Sequence, residues 1–185
     1  MQNARYNGVA GALHWILAIL VVAQLYIGWT FADLPRGTPA KGEWFVWHKT
    51  VGILILLITV GRIGWRVANP PPPFPATMPG WERAAARASH LFFYAILLIL
   101  PLSGWVLISS GKTDVATTTL LGGMPWPLIP GVPDSAHEPA EVVHAVLIWA
   151  TVALFVVHAA AALRNQYFGD RALSGRMPPF RRRGD

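Results

Sequence analysis

Four stretches of the chain are almost purely apolar, and the polar residues gather between them. Leu13 to Phe31 carries no charge. The second stretch, Trp44 to Val67, admits Lys49 near its start and Arg62 and Arg66 near its end. Ala88 to Gly111 and Val142 to Leu163 are again uncharged. Each is close to the roughly 20 residues an α-helix needs to cross the hydrocarbon of a bilayer. The pattern predicts transmembrane helices at 13–31, 44–67, 88–111 and 142–163 within one membrane domain, 1–185. The fold class is an all-α membrane protein, a four-transmembrane-helix up-down bundle. The first stretch is long for the apolar region of a signal peptide and no convincing small-residue cleavage site follows, so it reads as a span.

Composition agrees with a lipid solvent. Apolar residues make up 54% of the chain and charged residues 13%, about half the usual charged share. With no cysteine, disulfides, thiolate-ligated clusters and covalent c-type haem attachment are excluded. Trp15, Trp44, Trp47, Trp65 and Trp105 stand near span ends, where indoles form interfacial belts. Asn69-Pro70-Pro71-Pro72-Pro73-Phe74-Pro75 reads as a stiff spacer. The longer connection 112–140, with Met124-Pro125-Trp126-Pro127, is expected to fold as a cap over one face.

The basic residues orient the bundle. Arg5, Arg62, Arg66, Arg83, Arg87, Arg164, Arg171, Arg176, Arg181, Arg182 and Arg183 fall on the side of the termini. Arg36, Lys41, Lys49 and Lys112 fall on the other, so eleven against four places both termini in the cytoplasm. The net charge of +6 then belongs to topology and anionic lipid, and no nucleic acid is expected as a partner.

Histidine supplies the chemistry. Five of six sit at span ends, and an intramembrane histidine is expensive without a partner or cofactor. His14 and His90 fall at cytoplasmic depth, His48 and His144 at outer depth. His158 lies 14 residues beyond His144, a rise of ~21 Å that returns it to cytoplasmic depth. Fourteen residues are two heptads, so both side chains share one helix face in a left-handed bundle. At the outer level His144 matches His48; at the inner level His158 can pair with His14 or His90. Neutral imidazoles on facing helices suit bis-histidine haem, which passes electrons and does not activate oxygen. Zinc is disfavoured, since neither level adds carboxylate or thiolate ligands. His137, near Glu138, is expected to be a solvated loop residue. A histidine-lined proton conduit without haem is the alternative from another class.

Leu13-His14-Trp15, Trp47-His48-Lys49-Thr50-Val51-Gly52, Arg87-Ala88-Ser89-His90-Leu91 with Tyr94, and Leu100-Pro101-Leu102-Ser103-Gly104-Trp105 resemble the prokaryotic cytochrome b561 family across all four spans. The resemblance implies two haem b groups, with His48 and His144 on the outer iron and His14 and His158 on the inner. His90 is then left to hydrogen-bond a quinone carbonyl, with Arg87 one turn away, or to bond a haem propionate. Gly52, one turn beyond His48, and Gly104 are expected to let a flat macrocycle near the backbone; a small-residue helix contact is the other reading of Gly104. Arg62, 14 residues after His48, pairs with a propionate or snorkels to lipid. The resemblance extends to superoxide oxidases, which implies a superoxide:ubiquinone oxidoreductase of the bacterial inner membrane. Its partners would be membrane lipid, ubiquinone and superoxide or a redox partner protein. The alternative is a cytochrome b subunit linking a dehydrogenase or soluble cytochrome to the quinone pool. Lys49 gives local positive charge beside His48, although six acidic residues on that side outnumber the four basic ones.

Overall fold

The computed structural model describes residues 5–111, 117–169 and 174–178. Four helices carry the chain: α1 (Gly8–Asp33), α2 (Pro39–Ala68), α3 (Gly80–Ser109) and α4 (His137–Tyr167). All four are long and apolar enough to cross a membrane. Each starts several residues before its apolar stretch, because the membrane sets the stretch while local capping sets the helix end. Asn7 accepts from Ala10 N at 2.8 Å to start α1, and Thr38 accepts from Lys41 N at 3.3 Å, with Pro39 opening α2. These bonds satisfy amides that a first turn leaves unpaired.

Neighbours run antiparallel. Arg62 near the end of α2 meets His14 near the start of α1, and Arg164 near the end of α4 pairs with Glu82 at the start of α3 at 3.4 Å. The buried core is made by Leu17, Val21 and Ile27 of α1, Val51 and Ile55 of α2, and Leu97 of α3. That cluster takes no member from α4. That helix packs closely on α3, and its buried residues are only Ala140 and Thr151. Toward α1 and α2 it is met mainly by side chains. Exposed Ile19, Leu57, Phe92 and Val156 face what would be lipid, where exposure of apolar surface costs nothing.

The two ends of the bundle are closed differently. At one end an antiparallel hairpin, β1 (Thr117–Thr119) with β2 (Pro125–Pro127), lies over α2 and α3. Lys49 Nζ donates to Thr118 Oγ1 at 2.6 Å, Leu121 N to Thr50 Oγ1 at 3.0 Å, and Trp105 Nε1 to Pro127 O at 2.9 Å. The expected cap is therefore present, pinned by the two residues that follow His48. Lys49→Met deletes a charge-assisted bond worth about 1.5–3 kcal/mol. The expected result is exchange of the Leu120 amide, bonded to Met124 O in the hairpin, at least about tenfold faster, read by hydrogen–deuterium exchange at unchanged haem content.

At the other end the segment before α1 meets residues 174–178. Tyr6 N donates to Arg176 O at 3.0 Å, and Trp15 Nε1 donates to Pro178 O. Arg176 donates to the carbonyls of Pro72 and Pro73 at 2.8 and 3.0 Å and lies over the Phe74 ring. The tail segment 174–178 thus ties the proline spacer to α1. Arg87, expected to share a pocket with His90, instead lies exposed with its guanidinium 6.0 Å from the Phe74 ring centre. His137 is also exposed, but as the first residue of α4, with Nδ1 2.9 Å from Ser110 Oγ.

Candidate haem sites

At the hairpin end the rings of His48 and His144 stand 6.2 Å apart, centre to centre. His144 Nδ1 lies 3.1 Å from Leu100 O and 2.9 Å from Ser103 Oγ, whose hydroxyl donates to the same carbonyl at 2.7 Å. A carbonyl can only accept, so the proton of His144 belongs on Nδ1 and the lone pair on Nε2. That is the tautomer an iron ligand needs, oriented by a backbone acceptor. The ring fits because residue 104 is glycine: a Cβ there would come 3.2 Å from His144 Cε1.

His48 is held by a parallel arrangement on α1. Gln24 Nε2 lies 2.9 Å from His48 O and 3.1 Å from His48 Nδ1, while the Gln24 Oε1 atom is buried without a partner. Ligation through Nε2 would place a proton on Nδ1, and the Gln24 amide could offer it an oxygen only by giving up the bond to His48 O. Phe31 stacks on the His48 ring at 5.9 Å. Here too a glycine makes room, since a Cβ at Gly28 would lie 3.2 Å from His48 Cε1.

Three imidazoles gather at the termini end. His158 lies 6.2 Å from His14 and 5.9 Å from His90, ring centre to ring centre, and Phe93 meets its edge at 5.1 Å. Arg62 Nη2 is 3.2 Å from His14 Nδ1. A guanidinium can only donate, so this contact suits the opposite tautomer. His14 can hold iron through Nε2 once Arg62 turns to another acceptor, and a haem propionate is of that kind. Arg62 and Arg66 both lie over the Tyr94 ring, at 5.8 and 5.7 Å. The single ion pair among the described residues, Arg164–Glu82, involves neither.

These residues fit haem. Metal–nitrogen bonds of about 2 Å, with the ring radii added, put two imidazoles about 6 Å apart across one ion. Among the described residues no group of three or more His, Cys, Asp or Glu side chains converges as a bare metal site would require. Two levels of paired imidazole on a helix that touches α1 and α2 mainly through side chains leave the place for a flat group between them. Residues 5–179 match the family described as prokaryotic cytochrome b561.

The chain belongs to the prokaryotic cytochrome b561 family. Cytochrome b561 homolog 2 of Escherichia coli strain K12 is 30% identical over 164 residues, covering 88% of this chain and 85% of the relative. Cytochrome b562 of Cereibacter sphaeroides is 28% identical over 183 residues, covering 96% and 98%. As a member of the cytochrome b561 family the protein is a multi-pass electron-transfer membrane cytochrome that carries haem b.

Within this b561 bundle, two of the sequence-predicted neighbours sit differently from expectation. Gly104 backs the His144 ring itself, and a Cβ at Gly52 would meet the Gln24 amide at 3.3 Å. Gln24, Gly28, Ser103 and the Leu100 carbonyl were not singled out from the sequence. The signal for Gln24 was available: it is the one amide side chain in the uncharged run 13–31. A backbone carbonyl leaves no such trace.

Proposed function

We propose that the protein is a di-haem b carrier of the bacterial inner membrane that takes electrons from superoxide at the periplasmic, hairpin end and delivers them to ubiquinone near the cytoplasmic, termini end. The observation that carries this reading is the pair of 6.2 Å imidazole contacts, His48–His144 and His14–His158, joined by one helix. Their ~21 Å separation along α4 spans most of the hydrocarbon. Haem at each level supplies reversible one-electron iron chemistry. His144 and His48 hold the outer group, positioned by Leu100, Ser103 and Gln24; His158 and His14 hold the inner one, with Arg62 available to a propionate.

The balance needs two donors per acceptor. Two superoxide anions lose one electron each and leave as dioxygen; one quinone gains both electrons and two protons to become quinol. Lys49 beside His48 supports an anionic donor through local positive potential. Lys41 adds less, since its ammonium lies on the terminal carbonyls of α1, 3.0 Å from Phe31 O and 2.6 Å from Leu34 O. His90, not needed as a ligand in this pairing, can relay a proton toward reduced quinone; Arg87, exposed with its guanidinium 6.0 Å from the Phe74 ring centre, is a weaker candidate for the same site.

Rapid mixing of the purified, haem-loaded protein with superoxide tests the reading. The reduced haem b α-band should rise, then decay on addition of a short-chain ubiquinone, with two superoxide consumed per quinol. If dithionite reduces the haem and superoxide does not, the donor is a redox protein and the cytochrome b subunit reading takes its place.

A further inference from the structure

Thr118 and Trp126 are directly paired across the two strands of the hairpin, so their side chains share one face. Both are half-buried, while the flanking Thr117, Thr119, Pro125 and Pro127 are exposed. The shared face is the one turned to the bundle. Thr118 Oγ1 accepts from Lys49 Nζ of α2, and the Trp126 ring stands 5.5 Å from the Trp105 ring of α3, centre to centre.

The depth of this face follows from the same contacts. Lys49 and Thr50, which hold Thr118 and Leu121, are the next two residues after His48. Trp105, which donates to Pro127 O, directly follows Gly104, where a Cβ would come 3.2 Å from the His144 ring. The pinned face therefore flanks α2 and α3 at the level of the outer imidazole pair.

On that face one donor is left over. Trp105 Nε1 is bonded, but Trp126 Nε1 is buried with no acceptor. Buried N–H groups without a partner are rare, and an indole N–H can only donate. The hairpin brings no anion of its own: from Thr117 to Pro133 no side chain is charged. A bound group with an acceptor oxygen, seated at the depth of His48 and His144, satisfies this donor. Haem b carries acceptor oxygens only on its propionates.

We propose that Trp126 Nε1 donates a hydrogen bond to a propionate of the haem held between His48 and His144, which makes the hairpin a clamp on that haem as well as a cap. The proposal rests on the outer site of the di-haem reading above. It gives the two levels anchors of different chemistry: a guanidinium, Arg62, at the inner level and a neutral indole on a separate flap at the outer one. A trapped water shares the acceptor chemistry, so the test must separate the two.

Ultraviolet resonance Raman spectra of the purified, haem-loaded protein, taken as wild type minus Trp126→Phe, isolate this indole among the nine. They should show a strongly hydrogen-bonded N–H that weakens when the same difference is taken in a His144→Ala background, where the outer haem is lost. An unchanged band overturns the proposal, since the partner is then water. Trp126→Phe keeps a ring against Trp105 and should speed transfer of the outer haem to apomyoglobin at least about tenfold, as loss of one hydrogen bond to a charged group predicts. Transfer of the inner haem should not change. The outer reduction potential should fall, because a propionate with one donor fewer favours ferric iron. Outer-haem transfer and potential both unchanged in Trp126→Phe also overturn the proposal. Equal haem content in wild type and His144→Ala instead sinks the outer site itself.

Discussion

In the proposed di-haem scheme His144→Ala should halve the haem content, from two per chain to one, and His48→Ala should do the same. In that scheme each imidazole would be one of two axial ligands at the hairpin level, with no other histidine placed to replace it: the remaining one, His137, lies against Ser110 at the start of α4. Loss of one ligand also leaves a buried space beside the other, which favours release of the macrocycle. His158→Ala should remove the haem at the termini level and leave the outer one. The inner partner is the sharper question, because His158 stands almost equally far from His14 and His90. The expectation is that His14→Ala removes the inner haem and His90→Ala retains both. Pyridine haemochrome content and low-temperature α-band spectra of purified variants read this directly. Two haems in His14→Ala with one in His90→Ala would reverse the inner pairing; two in His144→Ala would end the di-haem scheme as drawn.

The second large effect comes from residues without side chains. Gly104→Val and Gly28→Val each should empty the outer site while leaving the inner one filled. An added Cβ falls 3.2 Å from the Cε1 of His144 or His48, so even alanine forces a shift of a few tenths of an ångström. Neither ring can move freely. His144 is bonded to Leu100 and Ser103, and His48 lies between the Gln24 amide and the Phe31 face. Each imidazole is thus pushed toward its partner across the haem place. Overpacking of this kind costs about 1–3 kcal/mol, enough with alanine to move the outer reduction potential at nearly full occupancy. Valine adds two methyl groups and should displace the haem. Redox titration of the alanine variants and haem content of the valine variants check the two halves. Full outer occupancy in both valine variants would mean that the glycines do not set the ring positions.

Much of this is legible in the sequence. Spans of about 20 apolar residues force helices, and a two-heptad histidine step on one of them forces two levels; both follow from local periodicity. What stayed hidden depends on contacts distant in sequence. Gln24 reaches His48, Leu100 reaches His144, and Arg176 reaches Pro72, with nothing in the intervening chain to announce them. The hairpin was legible as a cap but not as strands, because three-residue strands containing Pro125 and Pro127 show no alternation to read. Gly104 is ambiguous for a related reason. A glycine declares that something approaches closely, and the sequence does not say whether that is a macrocycle, a helix or an imidazole.

Biogenesis inherits an order from the way the core is divided. The buried cluster joins α1, α2 and α3 alone, while both histidine pairs take a member from α4, which leaves the ribosome after those three. A nascent chain can therefore assemble a three-helix scaffold that presents His48 at one depth and His14 at the other, open along one side to the lipid from which haem would arrive. Insertion of α4 then closes both histidine levels in a single event, so a group held between the paired imidazoles would be enclosed only after the first three helices are in place.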